Sequence, residues 1–158
     1  MDIRRRQVLK SGGGATLAAL LVAAGWLPSR DAHAADAWNE AAFDTHSLAD
    51  TVKALGGTSP AQNIGITFFQ TPDIAENGAV VPVGVTSTIP GTESIAILIE
   101  KNPNMLAAIF DIPAGTDPSL ATRVKMAQTS NVYALVKADG KFYVASKEIK
   151  VTLGGCGG

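Results

Sequence analysis

The chain has 158 residues, of which 46% are hydrophobic and 17% are charged. Five of its 13 Lys and Arg residues but two of its 14 Asp and Glu residues precede residue 35, so residues 35–158 carry 8 basic and 12 acidic side chains. This acidic balance argues against nucleic acid and anionic membranes as partners. The length after residue 34 fits one domain with its own core and does not fit two.

Residues 1–34 have the pattern of an export signal, in which the basic cluster Arg4-Arg5-Arg6 precedes an apolar run over residues 15–27. The stretch Arg5 to Lys10 (Arg-Arg-Gln-Val-Leu-Lys) resembles the twin-arginine signal, an address for a translocase that exports folded proteins. The alternative is a transmembrane anchor, but the run is shorter than the roughly 20 residues that span a bilayer. We therefore expect cleavage after Ala34, and a periplasmic product that is not held at the membrane.

The segment from Asp36 to Gly57 has helical periodicity. Ser47, with Asp50 three residues later, predicts an N-terminal cap, and Gly56 is suited to end the helix. Phe43 is placed either to pack against this helix or to belong to an earlier turn. The predicted apolar face of the helix consists of Leu48, Val52 and Leu55.

From residue 64 onward the pattern changes to short runs rich in Val, Ile, Phe and Tyr, separated by turn residues, which predicts strands. The clearest hairpin signal is Asp139-Gly140, because this pair tolerates the positive φ of a two-residue turn. Seven such runs predict an all-β, immunoglobulin-like antiparallel sandwich with a short N-terminal helix. The runs are Ile64–Gln70, Val80–Thr88, Ser94–Lys101, Leu106–Ile112, Ala121–Gln128, Asn131–Lys137 and Lys141–Leu153.

Two of these runs carry more specific predictions. Pro82 cannot donate a ladder hydrogen bond, so its strand is expected at a sheet edge or at a bulge, where it would leave an edge open to a partner. The run Ile95–Ile99 is almost continuously apolar, which predicts burial on both faces. This strand then lies either in the centre of the sandwich or under another chain. Four residues are candidates for an exposed apolar patch that a partner covers: Val81, Val83, Ile97 and Ile99.

The usual catalytic and metal-binding sets are missing. His46 is the only histidine after residue 34 and is expected to be an ordinary polar residue before a helix. The carboxylates are scattered, and the stretch Asp73–Gly78 lacks the alternating oxygen ligands and the distal glutamate of a calcium loop. The sequence therefore predicts no catalytic residue, no metal site and no intrinsic cofactor.

The C-terminal tail Gly154-Gly155-Cys156-Gly157-Gly158 holds the only cysteine of the chain, so no internal disulfide can form. Gly154, Gly155, Gly157 and Gly158 have no side chains, which predicts a thin, flexible arm that can enter a narrow cleft. The extended reach from Leu153 to Cys156 is about 10 Å. No Lys, Arg or His neighbours the thiol, so it is not activated locally. The tail is thus expected to be a covalent handle; the alternative is a disordered tail with an incidental cysteine.

These residues resemble the SoxY family, the carrier subunits of the bacterial Sox sulfur-oxidation system. The resemblance extends over nearly the whole chain, and the terminal Gly-Gly-Cys-Gly-Gly is its most specific part. It is carried by Pro72–Val83, Glu93–Asn104, Asn131–Tyr143 and Val151–Gly158, together with the twin-arginine signal.

The resemblance implies that Cys156 carries thiosulfate-derived sulfur and that the four tail glycines form its swinging arm. It further implies a heterodimer with a small SoxZ subunit. The transient partners that the resemblance implies are a haem-containing enzyme that attaches the substrate, a hydrolase that releases sulfate and a sulfane dehydrogenase. A competing hypothesis is a structural sandwich module that uses Cys156 only for intermolecular disulfide crosslinks. A thiol enzyme is a third hypothesis, but it needs a base beside the thiol.

Overall fold

The structure is a computed structural model that describes residues 39–62 and 65–154. The predicted signal, residues 1–34, lies outside the described residues, as do Asp36 to Trp38. The described helices are α1 (Glu40–Phe43) and α2 (Leu48–Ala54). The described strands are β1 (Ala61–Gln62), β2 (Ile66–Phe69), β3 (Ile74–Ala75), β4 (Val81–Ser87), β5 (Thr92–Ile99), β6 (Leu106–Asp111), β7 (Ser119–Val124), β8 (Ser130–Ala138) and β9 (Lys141–Val151).

The strands form two sheets, which confirms the predicted immunoglobulin-like sandwich. The larger sheet has the order β1-β9-β8-β5-β6, with β3 added on β9, and the smaller sheet has the order β2-β4-β7. All seven predicted strands are present and pair antiparallel with one another. The hairpin at Asp139-Gly140 is also confirmed, with φ of 48° and 71°, and it sets Ala138 opposite Lys141.

Strand β5 is buried on both of its faces. It lies between β6 and β8 in the larger sheet, which confirms the prediction of a central strand for Ile95–Ile99. Ile95, Ile97 and Ile99 pack in the core cluster between the two sheets. Ala96 and Leu98 pack in a second cluster with residues of the two helices. Because side chains alternate across a strand, a continuous apolar run is what two buried faces require.

The predicted short helix is confirmed as α2, and a further short helix, α1, precedes it. The chain breaks at residues 44–47, and Phe43 ends α1, as the alternative of an earlier turn allowed. The cap is confirmed, because the amide of Asp50 donates to Ser47 Oγ over 3.1 Å. Gly56, with φ of 86°, follows the end of α2. Val52 is fully buried and anchors α2 on the larger sheet.

The prediction of an edge strand at Pro82 was wrong. Strand β4 is the central strand of the smaller sheet. Its pairing with β2 extends only to Gly84, so at Pro82 it pairs with β7 alone, opposite Arg123. A proline is tolerated there because one side of the strand has no ladder partner.

Strands β1 and β3 were not predicted. Each has two residues and pairs parallel with β9, β1 near its start at Tyr143 and Val144 and β3 at its end at Lys150 and Val151. Runs of two residues carry no periodicity that a sequence pattern can reveal. In the described part of the chain, neither helix has the length and apolarity needed to cross a bilayer.

Candidate functional site at the root of the C-terminal tail

The last strand delivers the tail to one end of the sandwich. Strand β9 ends at Val151, and the structure describes Thr152, Leu153 and Gly154 after it. Gly155, Cys156, Gly157 and Gly158 lie outside the described residues, so the attachment of sulfur at Cys156 and the mobility of the arm stay predictions. The candidate site is therefore described through its root, which we define as residues 150–154 and the segments that hold them.

One side of the root is held by the segment 73–76. The amide of Lys150 donates to the carbonyl oxygen of Asp73 over 2.9 Å, and the amide of Thr152 donates to that of Ala75 over 3.0 Å. Thr152 Oγ1 also donates to the carbonyl oxygen of Glu76 over 3.0 Å. The loop that sequence reasoning took for a plain polar turn thus adds a short strand that fixes the end of β9.

Gly78 links the root to a second segment. Its amide donates to the carbonyl oxygen of Leu153 over 2.7 Å, and its own carbonyl oxygen accepts from the amide of Met126 over 2.7 Å. Met126 is fully buried in the core between the sheets. Gly78 therefore connects the carbonyl oxygen of Leu153 to a residue of the hydrophobic core.

The other side of the root is held by residues 125–129. The amide of Val151 donates to Thr129 Oγ1 over 3.0 Å. Asn102 braces the same segment from a neighbouring loop, since its Nδ2 donates to the carbonyl oxygen of Lys125 over 2.8 Å and its Oδ1 accepts from the amide of Ala127 over 3.0 Å. Sequence reasoning took Asn102 only for a turn residue and missed Thr129.

Exposed apolar side chains gather on the segments that form the root. Among the described residues, four large hydrophobic side chains are exposed, and three of them are Ile74, Val80 and Leu153, with exposed fractions of 58%, 54% and 67%. The fourth, Ile109, lies on the edge strand β6. The four residues predicted to form an apolar patch are all buried, at 1% exposure or less, so that prediction was wrong: Val81, Val83, Ile97 and Ile99. All four lie on the faces of their strands that point into the core between the two sheets.

Charges near the root form a local pair. Lys147 Nζ lies 3.0 Å from Asp73 Oδ1 and also donates to the carbonyl oxygen of Thr71. The pKa of Glu93 is lowered by its hydrogen bonds with Lys137 and with the amide of Gly140, but this group lies at the opposite end of the sandwich. The described charges thus help to fix the segment before the root.

The other candidate ligands do not assemble in the described residues. His46 Nδ1 lies 2.6 Å from the carbonyl oxygen of Pro103 on the protein surface, as an ordinary polar residue before a helix would. Within residues 39–62 and 65–154, no group of three His, Cys, Asp or Glu side chains is arranged to hold a metal ion.

Two cavities of the described domain lie away from the root. The larger, of about 530 Å³, is lined by loop residues 87–92 and 113–118, and a second of about 290 Å³ lies beside Gly57 and Phe142. Both are at the end of the sandwich opposite the tail. The described part of the root presents exposed apolar side chains.

The fold and the tail together define an all-β protein that ends in a cysteine tail, and the comparisons specify its family. Residues 52–156 match the family described as sulfur oxidation protein SoxY. This chain belongs to the SoxY family.

A solved structure agrees with this assignment. The sulfur carrier protein SoxY from Chlorobium limicola f thiosulfatophilum is 38% identical, with a TM-score of 0.57 over 66% of this chain and 96% of that chain. A chain from the study of T cell activation by the bacterial superantigen toxic shock syndrome toxin-1 is 14% identical, with a TM-score of 0.39 over 55% of this chain and 99% of that chain. The latter similarity is too low to inform function. No match was found among curated proteins.

Proposed function

We propose that this chain is a periplasmic, non-catalytic carrier that holds thiosulfate-derived sulfur covalently on Cys156 and presents it to successive Sox enzymes. The observation that carries the proposal is the match to the SoxY family over residues 52–156, which reaches the single cysteine of the chain. The Chlorobium protein in this family is a sulfur carrier. The twin-arginine pattern at Arg5-Arg6 supports export of the folded chain to the periplasm.

The loading reaction is an oxidative coupling. The Cys156 sulfur forms a bond to the outer sulfur of thiosulfate, the thiol proton passes to a base of the loading enzyme, and two electrons pass to its haem groups. No Lys, Arg or His stands beside Cys156 in the sequence. The thiolate is therefore formed in the enzyme rather than in the carrier.

The later steps use the same sulfur atom. A hydrolase adds water to the terminal sulfonate, so that sulfate leaves and a persulfide remains on Cys156. A sulfane dehydrogenase then oxidises the outer sulfur of the persulfide to a sulfonate, with water as the source of the oxygen atoms and the acceptors of that enzyme taking up the electrons. The hydrolase releases this sulfonate as a second sulfate, which restores the Cys156 thiol. The carrier supplies the tether in each step, and the enzymes supply the bases, metals and electron acceptors.

The short tail requires that each enzyme contact the root. One residue, Gly155, lies between Gly154 and Cys156, so their Cα atoms are about 7 Å apart when the chain is extended. An enzyme that closes around Cys156 therefore meets the surface around Gly154, where Ile74, Val80 and Leu153 are exposed. We infer that these side chains pack against the rim of the enzyme cleft.

The chain also forms a heterodimer with a SoxZ-like subunit.

Intact-mass analysis tests the proposal. The chain with its SoxZ-like subunit, incubated with thiosulfate and the haem-containing enzyme, is expected to gain two sulfur and three oxygen atoms on the peptide that contains Cys156. A crosslinking module would instead give a disulfide-linked dimer of the chain without thiosulfate adducts. Absence of any adduct with an enzyme that loads another SoxY protein contradicts the proposal.

A further inference from the structure

Gly154 meets the protein backbone although it is exposed. A Cβ atom at this position would overlap the carbonyl oxygen of Ala127. The obstacle is backbone, not the end of a flexible side chain, so any larger residue requires a shift of one of the two chain segments. The close approach thus demands glycine for packing, independently of its conformational freedom.

Ala127 is not free to move away. Its amide donates to Asn102 Oδ1 over 3.0 Å, and Asn102 Nδ2 holds the carbonyl oxygen of Lys125 over 2.8 Å. Between them, the amide of Met126 donates to the carbonyl oxygen of Gly78, and the Met126 side chain is fully buried. Displacing Ala127 would disturb hydrogen bonds on both sides of it and the core contact beneath.

The tail side is equally restrained. Leu153, the residue before Gly154, accepts through its carbonyl oxygen from the amide of Gly78, the residue that also binds Met126. A side chain at residue 154 would therefore push Leu153 away from Gly78, because Ala127 is braced. The hydrogen bond between Gly78 and Leu153 is the interaction expected to yield.

We propose that Gly154 is a positioning residue packed against Ala127, and that Asn102 is the brace that keeps Ala127 in place. This inference rests on the proposed function where it concerns the delivery of Cys156, whereas the packing of Gly154 stands by itself. It narrows the predicted arm, because Gly154 then belongs to the folded domain. The point from which Cys156 is delivered is fixed by the folded domain.

A pair of matched substitutions, Gly154→Ala and Gly155→Ala, tests the packing. Both add one methyl group, and they are one residue apart. Hydrogen exchange at the Gly78 amide reports the bond to Leu153, and we expect it to accelerate about tenfold or more in Gly154→Ala, because the bond opens locally. In Gly155→Ala the exchange rate should stay within about twofold of the unsubstituted protein. Equal exchange rates in both variants overturn the proposal.

The brace is tested by a double-mutant cycle. In Asn102→Ala the segment of Ala127 can yield, so adding Gly154→Ala should accelerate exchange at Gly78 less than it does when Asn102 is present. If the effect of Gly154→Ala is the same in both backgrounds, Asn102 does not hold Ala127 against the tail, and the brace is wrong.

Delivery is tested by comparing two reactions of Cys156 at a temperature at which all variants are folded. Gly154→Ala should slow enzymatic loading several-fold relative to the unsubstituted protein, while its reaction with a small disulfide reagent should be unchanged. A merely structural role would leave both reactions unchanged, and that result would contradict the positioning role. A further outcome is faster exchange of the Gly78 amide in Gly154→Ala than in Gly155→Ala while neither the unsubstituted protein nor any variant is loaded. That result supports the packing of Gly154 and contradicts only the carrier function.

Discussion

The two ends of the sandwich differ in what they offer a ligand. The end formed by loop residues 87–92 and 113–118 encloses the larger cavity, of about 530 Å³. The opposite end holds the root of the cysteine tail, fixed by backbone hydrogen bonds through Gly78 and by Thr129. Concave pockets are the usual indication of a site. A carrier reverses this expectation, because it presents its reactive group outward and the enzyme supplies the pocket.

The largest effect is expected from a substitution of the cysteine in the tail. Cys156→Ser should abolish the thiosulfate adduct completely, because oxygen cannot replace sulfur in the oxidative coupling. Folding and binding of the SoxZ-like subunit should be unchanged, since the substitution removes a single thiol after the last strand. Intact mass measures the adduct, and thermal denaturation measures folding. An adduct that persists in this variant would place the attachment on another residue.

A second substitution tests the arm while leaving the thiol in place. Replacing Gly155 and Gly157 by Val adds β-branched bulk on both sides of Cys156. Enzymatic loading should fall by roughly tenfold to a hundredfold, because small misplacements of a reacting group are costly. The reaction of Cys156 with a small thiol reagent is the control and should remain close to normal. Loading at the unsubstituted rate would show that the glycines are not needed for access.

A third substitution tests the exposed surface of the root. Leu153→Asp places a charge where we expect an apolar cleft rim, and it should raise the KM of the loading enzyme for the carrier about tenfold, the equivalent of about 1.4 kcal/mol. Thr116→Asp, at the cavity end, is the matched control and should leave this KM unchanged. An equal increase in both variants would mean that the effect comes from charge in general.

The smallest expected effect concerns the cavity end alone. Glu93 accepts from Lys137 and from the amide of Gly140, and these hydrogen bonds lower its pKa from 4.5. A lowered pKa stabilises the fold above the unfolded value, and the gain disappears as pH falls through the folded value. Glu93→Gln should therefore lower Tm slightly at neutral pH and not at pH below the lowered pKa. Loading of Cys156 should not change, since Glu93 lies far from the root.

Much of the fold could be predicted from the sequence because its signals are local. The alternation of β8 and β9, the Asp139-Gly140 turn and the Ser47 cap each depend on residues within one element. The continuous apolar run of Ile95–Ile99 also predicted a strand buried on both faces. The order of strands in the smaller sheet is not local, and this is why Pro82 pointed to an edge strand that is in fact central.

The candidate site likewise has a part that local sequence signals reveal and a part that they do not. Cys156 and its glycines are a contiguous motif, so the sequence identifies them directly. The root depends on residues that are distant along the chain: Gly78 binds Leu153, and Asn102 binds residues 125 and 127. No spacing rule connects them to Gly154. The Asn102-Pro103-Asn104 turn indicated a loop, but nothing in it indicated that the Asn102 side chain binds residues 125–127.

In the proposed function, one enzyme modifies the sulfur atom of Cys156 and a second enzyme then processes the product. The most direct measurement is the intact mass of the chain, in complex with its SoxZ-like subunit, followed in time through two additions. With thiosulfate and the haem-containing enzyme, the Cys156 peptide should gain two sulfur and three oxygen atoms. After the hydrolase is added, the same peptide should lose one sulfur and three oxygen atoms, leaving a persulfide. A Cys156 peptide that stays unmodified, or an adduct that the hydrolase leaves intact, would contradict the account.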